Sequence, residues 1–301
     1  MRAAFSPRLA LISVLPAVLL LAAAAAPSIH AQAGARERTL FVSAVDPRGE
    51  PVDGLGPTDF VVTEDGRRRE ILRISRAIEP IDIAVLVDNS ASAERAVSSL
   101  RDGLKAFVGA LAGDNQIAIV GLADRPTILV DYTSNRERLE QAAGRIFSLS
   151  SAGMTLLDAI SETTAGLRRR EATRAVIVPV ITNGTEFTNR YARDVIRSLR
   201  DAGVALSPIV VGVLDFDTTE ERERAQLMDD GSKQTGGEHV TVLTEMAIEQ
   251  ALSKLARQLS SQYKVVYGRP ESLIPPEKVE IASGRPGVTM RAMPARGQSG
   301  A

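Results

Sequence analysis

The sequence contains no cysteine and no tryptophan. Without thiols there is no disulfide framework, no thiolate metal site and no lipid attached through a cysteine. Aromatic residues make up 4% of the chain, too few for the stacking platforms that hold single-stranded nucleic acid or sugars. An excess of one charge is lacking too: 36 Lys and Arg face 37 Asp and Glu, so no basic field recruits nucleic acid. Histidine is nearly absent, with only His30 and His239. There is no His-Glu-x-x-His, and no serine lies in a Gly-x-Ser-x-Gly elbow, so zinc hydrolysis and Ser-His-Asp chemistry lack their parts. A phosphate-cradling Gly-x-x-x-x-Gly-Lys loop is also missing. These absences point away from an enzyme and toward a binding or structural protein.

What is present begins with an export pattern. Arg2 and Arg8 precede an apolar stretch from Leu9 to Ala26, and Ala31-Gln32-Ala33 offers a small-x-small cleavage site. Residues 1–33 are therefore expected to be a signal peptide, with the protein periplasmic or secreted. An uncleaved membrane anchor is the competing expectation, since the stretch is about long enough to span a bilayer although Pro16 interrupts it. Removing this segment takes away two arginines and no acids, which leaves 34 against 37, a net charge of −3.

Beyond it, short strand-like segments lie at both ends. Leu40 to Val45, Phe60 to Thr63 and Ile71 to Ser75 are punctuated by Asp46-Pro47-Arg48-Gly49 and Glu64-Asp65-Gly66. Asp-Gly between alternating segments signals a hairpin. Tyr263 to Tyr267, Val279 to Ala282 and Val288 to Ala292 read likewise. Neither flank is long enough to bury a full core, so residues 34–79 and 263–301 are expected to pair as one small β-sandwich. Residues 80–262 alternate apolar runs with amphipathic stretches, the signature of a doubly wound, mostly parallel α/β sheet covered on both faces. Strands are expected at Ile81 to Val87, Gln116 to Ala123, Thr127 to Val130, Ala175 to Ile181, Val204 to Val213 and His239 to Val242. Helical stripes start at Ala93 and Met246.

The run Ile81 to Val87 ends in Asp88-Asn89-Ser90-Ala91-Ser92. One carboxylate and two hydroxyls at the carboxyl end of a buried strand outline a site for a hard cation such as Mg²⁺, Ca²⁺ or Mn²⁺. The same residues also suit a turn, with Ser90 or Ser92 capping the next helix. Further on, Thr155 precedes a helical pattern, and a second apolar strand ends in Thr182-Asn183-Gly184. Together these segments resemble the von Willebrand factor type A domain and its metal-ion-dependent adhesion site, whose pattern is Asp-x-Ser-x-Ser, a lone Thr, and Thr-Asp-Gly. Asp59-Phe60 with Glu64-Asp65-Gly66 adds a resemblance to exported bacterial proteins related to that domain.

The resemblance implies non-catalytic protein recognition through a divalent cation held by Asp88, Ser90, Ser92, Thr155 and Asn183. The cation would engage an Asp or Glu of an unknown protein partner. Asn183 departs from the pattern by standing where the family has aspartate. One negative charge fewer implies a cation bound weakly or only with an acidic ligand. The alternative is a metal-free scaffold component of the cell envelope. Asp215-Phe216-Asp217 reads as an acidic loop leading into a charged helix, and Arg168-Arg169-Arg170 as a helix end complementing the macrodipole.

Overall fold

The computed structural model of the protein describes residues 35–294, apart from 151, 271–273, 275 and 277. The expected export segment, residues 1–33, lies outside the described residues.

The first strands come from the amino-terminal flank: β1 (Ala35–Val45), β2 (Phe60–Glu64), β3 (Arg67–Arg69) and β4 (Ile71–Arg76). The turn between β2 and β3 uses Asp65 at φ 47° and Gly66 at φ 77°, the paired left-handed geometry that Asp-Gly tolerates. There follow β5 (Ile81–Val87), α1 (Val97–Leu111), β6 (Gln116–Gly121), β7 (Thr127–Thr133), α2 (Arg136–Gly144), α3 (Leu156–Arg170) and β8 (Arg174–Ile181). Next are α4 (Ala192–Ala202), β9 (Val204–Leu206), β10 (Ile209–Val211), α5 (Thr219–Gln226), α6 (Ser232–Thr235), β11 (Val240–Val242) and α7 (Ile248–Ser260). The carboxyl-terminal flank supplies β12 (Tyr263–Pro270), β13 (Val279–Ser283) and β14 (Thr289–Pro294).

The central sheet has the order β11-β10-β8-β5-β6-β7, with β9 beside β8. All its pairings are parallel except β6 with β7. Because side chains alternate along a strand, β5 feeds two cores. Ile81, Ile83, Val85 and Val87 pack with α1, α2 and α7, whereas Ala84 and Leu86 pack with α3 and α4. The expected strand from Val204 to Val213 is two short ones. Pro208 has no N–H for the ladder, and both pieces still run along β8.

The flanks close on each other. β14-β1-β12-β4 form one antiparallel sheet and β13-β2-β3 another. Leu40, Val42, Phe60, Val62, Tyr263, Val265 and Met290 fill the space around them. Gly236 locks this layer to the α/β layer. It sits at φ +81° after α6, and a Cβ there would stand 2.0 Å from the Ala292 carbonyl of β14. Arg168-Arg169-Arg170 closes α3 as expected, and Arg170 also pairs with Asp82 at 2.7 Å and lies over the Tyr132 ring.

Candidate functional site

The parallel strands β5, β6, β8, β10 and β11 all end at one edge, so their following loops converge there. Asp88 is fully buried at the tip of β5. Its Oδ1 accepts from the Ser90 N–H at 2.9 Å, and its Oδ2 accepts from the Thr182 N–H at 3.0 Å and hydroxyl at 2.5 Å.

A chain of hydroxyls follows, and proton counting fixes its direction. Thr182 has one hydroxyl proton and gives it to Asp88, so its oxygen accepts from Ser92 at 2.7 Å. Ser92 therefore accepts from Ser90 at 2.9 Å. Neither serine uses its side chain to cap the helical turn from Ala91 to Ala96, so the capping alternative does not describe them.

The other two expected ligands are placed differently. Thr155 lies on the neighbouring loop, half-buried, with its hydroxyl on the Leu122 carbonyl at 3.4 Å. The Asn183 Oδ1 accepts from the Asp215 N–H at 2.9 Å and from Arg224 Nη2 at 3.2 Å. The structure thus joins Asp88, Ser90 and Ser92 through Thr182, brings Thr155 alongside, and engages Asn183 elsewhere. Asp158 lies in the first turn of α3. It accepts from Thr188 Oγ1 at 3.1 Å and from Arg190 Nε at 2.6 Å.

Four residues that the sequence reading did not single out complete the site. Thr182 is the hinge of the hydroxyl chain. Asn89 accepts from the N–H groups of Leu122 and Ala123, both at 2.9 Å, and so ends β6. Glu186 is 2% exposed. Its Oε2 takes the Leu156 N–H at 3.3 Å while its Oε1 has no partner. Arg224, from α5, is fully buried and donates through Nη1 to the Gly184 carbonyl. Their sequence signals are weak: Thr182, as the Thr of Thr-Asn-Gly, and Asn89, at a variable place of Asp-x-Ser-x-Ser, lie within recognisable patterns, and Glu186 and Arg224 lie in none.

These surroundings do not fit a resident divalent cation. Both Asp88 oxygens already accept from protein donors, and Asn183 points its carbonyl at a guanidinium. The one carboxylate the cation would need is in the field of Arg224, whose charge burial disfavours and Glu186, Glu221, Asp88 and Asp215 sustain.

Burial raises the Glu186 carboxyl to about 7, against the opposing pull of the Leu156 N–H and Arg224. A raised folded-state value means the native protein holds the proton more tightly than the unfolded chain. The contribution is fully present below the unfolded value of 4.5 and is lost as pH rises through about 7. Glu186→Gln is therefore expected to raise the unfolding free energy by on the order of 2–3 kcal/mol at pH 8 and to change it little at pH 4. Urea titrations at the two pH values check this.

Comparison with known proteins reaches part of the central layer. Residues 83–185 match the family described as von Willebrand factor type A domain. This segment is a von Willebrand factor type A domain. A von Willebrand factor type A protein from Catenulispora acidiphila aligns over 88% of this chain and 74% of its own, at 11% identity and a TM-score of 0.51. Proximal thread matrix protein 1 from the mussel byssus aligns over 65% of this chain at 16% identity and a TM-score of 0.49. This chain spans 49% of that protein's length. The von Willebrand domain of the type V pilus tip protein Mfa5 from Porphyromonas gingivalis aligns over 61% of this chain and 96% of its own, at 11% identity and a TM-score of 0.47. At such identities the likeness reaches the fold alone. No curated protein matches the chain.

Proposed function

We propose that the chain is a non-catalytic protein-binding module of adhesion or assembly type. It would be exported and would meet its partner with the carboxyl edge of its type A domain. The observation that carries this reading is the distribution of exposed apolar side chains. Of twelve large ones among the described residues, eight stand in the loops at this edge. They include Phe147, Phe187, Val213, Phe216, Leu243 and Met246, each more than half exposed. Single exposed apolar residues need no explanation, but a ring of them around a polar centre marks a contact surface. The turn carrying Met246 packs against the turn carrying Ser92, which sets it beside the hydroxyl chain.

The centre offers the hydroxyl of the exposed Ser92 and that of the half-buried Thr155, while Ser90 and Thr182 are buried. Asp88 and Arg224 are both fully buried, so neither charge reaches a partner directly. Without a cation, the acidic partner residue implied by the family resemblance would find no positive anchor from either group. The reading therefore rests recognition on apolar contact around a hydrogen-bonding centre. Export is supported by the pattern of Arg2, Arg8 and the apolar run to Ala26. Among the described residues no helix is long and apolar enough to cross a membrane.

The test is selection of displayed random peptides on the purified protein, followed by affinity measurements on variants. Val213→Asp, Phe216→Asp and Met246→Asp are each expected to weaken the selected peptides by roughly tenfold or more. Ile78→Asp, at an exposed position away from the edge, is expected to leave them unchanged. Peptides indifferent to all three edge substitutions would overturn the reading.

A further inference from the structure

The strongest unexplained feature near the edge is a buried cation. Arg224 is the largest fully buried side chain among the described residues. It reaches from α5 across to the loop after β8, where Nη1 holds the Gly184 carbonyl and Nη2 holds Asn183 Oδ1 at 3.2 Å. Its Nε makes no hydrogen bond, and Asp88 is among the carboxylates whose charge it feels.

The clamp acts directly on the hydroxyl chain. A Cβ at Gly184 would lie 2.6 Å from Ser92 Oγ and 2.9 Å from Ser90 Oγ, so this backbone is pressed against both serines. Fixing the Gly184 carbonyl fixes the floor beneath them. A fixed monovalent charge thus stands near Asp88, the carboxylate that holds the hydroxyl chain.

We propose that Arg224 is the resident cation of this site, taking the electrostatic place that a divalent metal would fill, with Asn183 as its neutral partner. A divalent ion added at Asp88, Ser90 and Ser92 would share one buried carboxylate with a guanidinium that cannot move into water. Restoring an acid at position 183 alone does not remove the conflict. An aspartate there would pair with Arg224 through the contact Asn183 now makes, and its charge would be neutralised before a metal arrived. The assignment deepens the metal-free part of the proposed function, but it is independent of which partner the apolar ring contacts. Loss of peptide recognition and loss of metal exclusion are therefore separate outcomes.

The experiment follows the thermal midpoint with and without millimolar Mn²⁺, using Mn²⁺ alone as the probe, because a ligand of the folded state raises the midpoint by mass action. The wild-type protein and Asn183→Asp are expected to show no shift. Asn183→Asp combined with Arg224→Gln is expected to shift, with Mn²⁺ affinity higher by roughly 10- to 100-fold, the range over which groups behind metal ligands act. Glutamine keeps an N–H donor for the Gly184 carbonyl while removing the charge. Arg224→Lys in the Asn183→Asp background is expected to stay unshifted, since it keeps the charge. A clear shift in the wild type, or one in Asn183→Asp as large as in the double variant, would overturn the assignment. Should the double variant not fold, Arg224→Gln alone supplies the charge-free comparison: a Mn²⁺ shift there and none in the wild type supports the assignment, and a shift in the wild type, or none in Arg224→Gln, overturns it.

Discussion

Replacing Arg224 by alanine is expected to lower the unfolding free energy by about 3–5 kcal/mol, the cost of breaking a buried charge arrangement from one side. The substitution removes the donors to Gly184 and Asn183. It also leaves Glu186, already 2% exposed with one oxygen unpartnered, without its nearest cation. Part of this loss should depend on pH. At low pH Glu186 is neutral and does not need the guanidinium, so Arg224→Ala is expected to be less damaging at pH 4 than at pH 8. Urea unfolding of the variant at both pH values measures the difference. Equal losses at the two pH values would mean that Arg224 acts through its hydrogen bonds and packing, and not through the charge of Glu186.

The second large effect is expected in the β-sandwich. Glu64, 1% exposed at the end of β2, accepts from Arg69 Nε at 2.8 Å and from the Tyr267 hydroxyl at 2.8 Å, and pairs with Arg269 at 3.4 Å. Tyr267 and Arg269 belong to β12 in the opposite sheet, so one carboxylate ties the amino-terminal flank to the carboxyl-terminal one. The Tyr267 phenol is pushed above its usual range by burial and by the bond it gives Glu64. Glu64→Ala takes the shared acceptor from two arginines and a buried phenol, and is expected to cost about 3–5 kcal/mol. Glu64→Gln, which keeps an acceptor for Tyr267, is expected to cost less. Chemical denaturation of both variants checks the order. A Glu64→Ala protein as stable as wild type would show that strand pairing and apolar packing hold the flanks together without this carboxylate.

Both effects rest on long-range pairings, and these were the least legible part of the sequence. β5 was readable because Ile81 to Val87 is apolar apart from Asp82, and a strand buried on both faces must be so. The flanking strands were readable from their alternation and from Asp65-Gly66. The break in Val204 to Val213 depended on Pro208, a residue type whose effect on the ladder is known in advance, but the run of valines around it outweighed that signal. Of the site, Asp88, Ser90 and Ser92 were legible because they are local. Their spacing places them on one turn, and the structure joins them.

Arg224 was not legible, for a physical reason. It sits 41 residues from Asn183 in the stretch Glu220 to Arg224, where every residue is charged. Such a run reads as a charged helix, and nothing in its periodicity marks one arginine as buried. Only the packing of α5 against the loop after β8 turns it inward. Glu186 was hidden in the same way. Burial alternates from Gly184 to Asn189, but the buried members Glu186 and Thr188 are polar and the exposed Phe187 is apolar, so the hydrophobic pattern does not reveal it.

The central claim is that the carboxyl edge of this type A domain carries its own cation and excludes a metal. Paramagnetic relaxation tests it most directly, with Mn²⁺ titrated into ¹⁵N-labelled wild-type protein while the amides of Ser90, Ser92 and Thr155 are followed. These amides are expected to keep their intensity at millimolar Mn²⁺, whereas those of the double variant Asn183→Asp, Arg224→Gln are expected to broaden. Selective broadening of Ser90, Ser92 and Thr155 in the wild type would place a metal where Arg224 is assigned to exclude it, and would contradict the account.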